Sequence, residues 1–129
     1  MTQEKMAGLQ KIIVVIEDDD LLRSLMVEAV RELDFEVVEF ATADDALIYV
    51  MGASNNVVLV VSDLTVPGQI DGAELAEMLA DRYSHISFIL TTGYIDAHRK
   101  LSDLVVFLPK PWSLLQLNKA VLSVASGFK

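Results

Sequence analysis

The sequence contains no cysteine, so neither a disulfide framework nor a thiolate metal site can be built from it. That absence suits a reducing compartment. Lysine and arginine form no cluster: 10 bases face 19 acids, for a net charge of −9. A nucleic-acid surface needs a concentrated basic footprint, so direct contact with DNA or RNA is not expected. No apolar run approaches the roughly 20 residues that cross a membrane, and the opening MTQEKMAGLQK lacks the apolar stretch of a signal peptide. There is no GxxxxGK(S/T) phosphate loop and no GxSxG elbow, which leaves a P-loop nucleotidase and a nucleophile-elbow hydrolase without support. A soluble, cytoplasmic protein without membrane contact is the expectation that remains.

What is present is a series of short apolar runs, within a chain of 129 residues that is 53% apolar. That length fits one domain with one core. Runs without alternation read as strands covered on both faces. Residues 12–16, 35–40, 57–61, 87–91 and 104–108 are the predicted strands. Helical patterns separate them. Leu22, Leu25, Met26, Ala29 and Leu33 share a face, Thr42 with Asp45 starts a short helix ending near Gly52, and Leu75, Met78 and Leu79 mark a third helix. A short polar helix is expected after Gly93. Ser113 with Gln116 opens the last, whose face carries Leu114, Leu117, Val121 and Val124, with Gly127 placed to end it. Five βα units in tandem with right-handed crossovers predict an α/β fold with a doubly wound parallel sheet. Residues 1–10 read as a polar N-terminal extension and 11–129 as a single domain. An initiating Met and a helix ending just before the last residue favour a free-standing protein.

The chemistry gathers where strands finish. Glu17 with Asp18, then Asp63, Thr92 and Lys110, each follow a predicted strand, and in an open parallel sheet those ends share one edge. Of the consecutive acids Glu17, Asp18, Asp19 and Asp20, either Asp19 or Asp20 suits a helix cap. Glu17 and Asp18 suit a divalent metal; Mg²⁺ takes one or two carboxylates with waters and a phosphate oxygen. Asp63, held at the end of the central strand, can attack phosphorus and form an acyl phosphate. The loop behind it carries Pro67 and Gly68, which delay the next helix and argue against a capping role. Lys110 stands between Pro109 and Pro111, whose rings fix the backbone around it. Its ammonium would neutralise a phosphoryl oxygen while the Thr92 hydroxyl bonds another.

The pieces IIVVIEDDDLLR, VVSDLTVPGQIDG, TTGY and KPW, in that order from Ile12 to about Ser126, resemble the receiver domain of two-component response regulators, the CheY-like superfamily. The resemblance implies a flavodoxin-like (βα)5 fold with sheet order 2-1-3-4-5. It makes Asp63 the phosphoacceptor, and Glu17, Asp18 and Asp63 the Mg²⁺ site. Thr92 and Lys110 would stabilise the phosphoryl group, and Thr92 and Phe107 would form the switch. The function implied is a signalling switch, not an enzyme. A histidine kinase or phosphotransfer protein donates the phosphoryl group, and an output protein reads the altered surface.

The chain departs from the family pattern in several places. Glu17 replaces the commoner Asp, the loop PGQIDG is one residue longer than usual, and Phe107 lacks a tyrosine's hydroxyl. Between Thr92 and Lys110 stand 17 residues. That is about one helical turn fewer than the family pattern, so a shortened fourth helix and a monomer or weak dimer are expected. A haloacid dehalogenase-type phosphatase would need a second acid where Thr65 stands. In a flavodoxin-like electron carrier, the EDDD run would repel the FMN phosphate. An adaptor of the same shape that works by protein contact alone is the other reading. His85 and His98 are isolated, and Trp112 is expected to cover the start of the last helix.

Overall fold

The computed structural model describes residues 11–93 and 103–125. Five parallel strands, β1 (Ile12–Ile16), β2 (Glu36–Phe40), β3 (Val57–Asp63), β4 (Ser87–Thr92) and β5 (Val105–Pro109), form one sheet in the order β2-β1-β3-β4-β5. Four helices are seen among the described residues: α1 (Asp20–Arg31), α2 (Ala43–Ala53), α3 (Gly72–Arg82) and α4 (Leu114–Ala125). The expected polar fourth helix and the terminal Gly127 lie outside the described residues.

Alternation along β1 divides the core in two. Ile12, Val14 and Ile16 join the cluster with Ala46 and Val50 of α2 and Leu75 and Leu79 of α3, while Ile13 and Val15 join the one with Met26 and Val30 of α1 and Leu117 and Val121 of α4. Side chains two apart on a strand share a face, so an apolar residue at every position of β1 is what a sheet covered on both faces requires. All five residues of β1 are buried.

The helix starts follow local chemistry. Thr42 accepts a hydrogen bond from the Asp45 amide at 3.2 Å, and Ser113 and Gln116 exchange bonds at 3.1 and 2.8 Å in a reciprocal cap. The predicted helix faces need correction. Leu25 and Met78 are exposed, and in α1 the buried stripe is Met26, Val27, Ala29 and Val30. The stripe is rotated because α1 packs against both β2 and α4, contacts that its own periodicity does not encode. Two strands also run further than expected: β3 continues to Asp63 and β4 to Thr92, while β5 is shifted by one residue and ends on Pro109.

Strand order reverses between β1 and β3, because the chain leaves β1 towards β2 and returns on the other side. Such a switch point opens a crevice beyond the strand ends. Glu17 and Asp18 leave β1 at that crevice, and Asp63 closes β3 beside it.

Candidate functional site

Parallel strands that stop in register bring their last residues together. Ile16 pairs with Ser62, Asp63 with Thr91, and Thr92 with Pro109. The edge so formed carries Glu17, Asp18, Asp63, Thr92 and Lys110, the five residues singled out in the sequence.

Asp63 and Lys110 are in direct contact, with Nζ 2.8 Å from Oδ2. The Thr65 amide donates to the other carboxylate oxygen at 3.3 Å. Lys110 is placed by its own main chain, whose N–H donates to the Thr92 carbonyl at 2.8 Å; the Lys110–Pro111 peptide is cis. Thr92 is buried at the end of β4. Phe107 lies opposite Leu90 in the sheet and packs, partly buried, against the cluster on the α2 and α3 side.

The acids after β1 divide by role. Asp19 is the cap of α1, its Oδ1 accepting from the Leu22 amide at 2.9 Å. Asp20 pairs with Arg23. Glu17 is 3% exposed and accepts from the Asp19 amide at 2.9 Å. Burial pushes its carboxyl above the ordinary value against the pull of that amide, and Asp18 and Asp63 push it further up. Asp18 is exposed.

Among the described residues no three carboxylate or imidazole groups converge tightly enough to enclose a metal ion. The donor chemistry nonetheless fits Mg²⁺. Glu17 carries an electrostatic load from Asp18 and Asp63 that a cation would relieve, and Mg²⁺ prefers one or two carboxylates with retained waters to a closed protein cage.

Two residues that sequence reading passed over organise this edge. Arg23 bonds the carbonyl oxygen of Glu17 from Nη1 at 2.8 Å. Asp44, in the first turn of α2, accepts from the amides of Gln69 and Ile70 at 3.1 and 3.3 Å and so pins the loop behind Asp63. Gly68 in that loop has φ +118°, and a Cβ there would strike the Asp44 carboxylate. The loop ends in a reciprocal cap between Asp71 and Glu74, and Gly72 presses against the Asp63 carbonyl and Ser62 Oγ. Asp44 offers only the general signal of an acid in a helix's first turn, and Arg23 offers none.

A shallow groove of about 440 Å³ is lined by Leu22, Lys110, Pro111 and Trp112. Trp112 packs against the α1 and α4 side of the core, as expected of it. The His85 ring lies against the Ser54 carbonyl, away from this edge; His98 lies outside the described residues.

The sequence profile of the response regulator receiver domain matches residues 13–122. Sensor kinase CckA of Brucella abortus (strain 2308) is 34% identical over 113 residues, which are 84% of this chain and 12% of that protein. The chain thus spans about an eighth of that relative's length. The crystal structure of the receiver domain from hybrid histidine kinase CckA superposes with a TM-score of 0.75 at 29% identity, covering 88% of this chain and 97% of that one. A response regulator receiver protein from Sinorhizobium medicae WSM419 shares the fold with a TM-score of 0.82 at 18% identity, covering 93% and 98%.

Proposed function

Because the chain belongs to the response regulator receiver domain family, we propose that it is a phosphorylation-dependent switch in which Asp63 takes a phosphoryl group from a histidine kinase or phosphotransfer protein. The observation that carries this reading is the 2.8 Å contact between Lys110 Nζ and Asp63 Oδ2 at the β1/β3 switch point, with the Glu17 carboxylate feeling the charge of Asp63.

In the transfer, an Asp63 carboxylate oxygen forms a bond to phosphorus as the donor's N–P bond breaks, and the electron pair leaves with the imidazole. Bound at Glu17, Asp18 and Asp63, Mg²⁺ would supply charge neutralisation on the phosphoryl oxygens. Lys110, already on the Asp63 carboxylate, shifts its ammonium to a phosphoryl oxygen, and the Thr92 hydroxyl donates to another. Thr92's movement leaves room for Phe107 to turn inward and so changes the surface an output protein reads. The unit is one receiver domain over residues 11–129 with a polar extension at 1–10. It is a switch rather than a turnover enzyme, acts in the cytoplasm as a monomer or weak dimer, and contacts neither nucleic acid nor membrane directly. Among the described residues no helix is long and apolar enough to cross a membrane.

The test is incubation with acetyl phosphate and Mg²⁺ followed by intact mass. Wild type should gain one phosphoryl group and Asp63→Asn none; equal labelling of the Asn variant moves the nucleophile elsewhere.

A further inference from the structure

Arg23 spends its guanidinium on three separate segments. Nη1 donates to the Glu17 carbonyl at 2.8 Å, Nη2 to Asp20 Oδ1 at 2.7 Å and Nε to Glu39 Oε1 on β2 at 3.1 Å. Its own amide donates to the Asp19 carbonyl at 2.9 Å. The Arg23 side chain is 17% exposed and its bond to the Glu17 carbonyl is part-buried, whereas the Asp20 and Glu39 carboxylates it pairs with face water.

Resting on the cation site proposed above, we infer that Arg23 is a positioning residue for the acids Glu17 and Asp18, acting through the main chain and not as a counter-charge. Four consecutive carboxylates repel one another, and a loop carrying them tends to splay so as to separate the charges. A planar guanidinium with donors in a fixed fork can tie the Glu17 carbonyl to α1 and β2 at once. As a counter-charge it has little left to give, since Asp20 and Glu39 already supply two carboxylates to its one cation.

The two roles predict opposite signs. Were Arg23 only a nearby positive charge, deleting it would tighten cation binding, because a repulsive neighbour is gone. If it positions the acids, deleting it weakens binding, and so does replacing it with lysine, which keeps the charge but cannot reach three acceptors. If it merely holds α1 against β2, the urea midpoint falls equally with and without Mg²⁺ and the Mg²⁺ affinity is unchanged.

The experiment titrates the full chain with MgCl₂, following Trp112 fluorescence and, independently, the Mg²⁺-dependent rise in urea midpoint, for wild type, Arg23→Ala and Arg23→Lys. Trp112 lines the groove next to Lys110, whose ammonium rests on Asp63, so its emission reports on this edge. Loss of a residue that orients metal ligands typically weakens binding about 10- to 100-fold. A Kd raised about tenfold or more in both variants supports positioning. An unchanged or lowered Kd in Arg23→Ala overturns it. Should that variant not fold, Arg23→Lys decides alone: a raised Kd supports the role and a wild-type Kd overturns it. A wild type indifferent to Mg²⁺ in both readouts overturns the cation site itself, a failure distinct from that of the Arg23 assignment.

Discussion

Replacing Lys110 by Met separates what its ion pair does for the fold from what it does for phosphoryl transfer. The Lys110 side chain is 38% exposed and that of Asp63 14%, so water screens the 2.8 Å pair. Pairs this exposed contribute about 0–1 kcal/mol. The main-chain bond from Lys110 to the Thr92 carbonyl survives the substitution, and the Met stem preserves much of the packing. Stability should therefore fall by less than about 1 kcal/mol. The proposed transfer is another matter, because negative charge would build on the phosphoryl oxygens beside Asp63 Oδ2, where the Lys110 ammonium already rests. Removing one preorganised group of this kind costs about 10²- to 10³-fold in rate, or about 2.7–4 kcal/mol. The assay is the initial rate of labelling by acetyl phosphate at saturating Mg²⁺, read by intact mass, set against the urea midpoint of the same preparations. The expected result is a rate lower by about a hundredfold with the fold nearly intact. Labelling at the wild-type rate would refute the role. So would a stability loss of about 3 kcal/mol or more, which belongs to a buried pair, with labelling falling only in step with the unfolded fraction.

Bound at the proposed site in the native state alone, Mg²⁺ at a hundredfold excess over its dissociation constant should stabilise wild type by about 2.7 kcal/mol. Asp18→Ala should raise the midpoint measured without Mg²⁺ and abolish the increment; a wild-type midpoint that ignores Mg²⁺ would count against the site. Gly72→Ala should destabilise by about 1–3 kcal/mol, because the new Cβ meets the Asp63 carbonyl, a main-chain atom that cannot give way without shifting Asp63, and also lies 2.8 Å from Ser62 Oγ. An unaltered urea midpoint for Gly72→Ala would show that the start of α3 can give way.

How much of this could be read from the sequence depends on how local the cause is. Caps are local: Thr42 with Asp45 and Ser113 with Gln116 involve partners three residues apart, and both are found where their spacing places them. The convergence of Asp63 and Lys110 is not local, yet a parallel sheet has only one edge where its strands finish, so a residue after each apolar run can be assigned to it without knowing the strand order. The choice between Asp19 and Asp20 as cap was open because both suit the position; the backbone at Asp19 is extended, as a cap requires, and Asp20 is freed to pair with Arg23. Leu25 and Met78 illustrate the limit of periodicity. A helical pattern shows that apolar residues share a stripe, but which stripe is covered depends on the neighbours, and here Val27 and Val30 took the place given to Leu25. Arg23 and Asp44 needed more still. Arg23 meets Glu39 only because β1 and β2 pair with Val15 opposite Glu39, which sets a residue 16 positions away beside the end of β1. Asp44 reaches across 25 positions to the loop behind Asp63, where Gly68 at φ +118° lacks the Cβ that would strike its carboxylate. The groups proposed to carry the chemistry were therefore visible as residue types at strand ends. The groups that hold them in place were not, because their partners are chosen by sheet order and loop path, and a single sequence records neither.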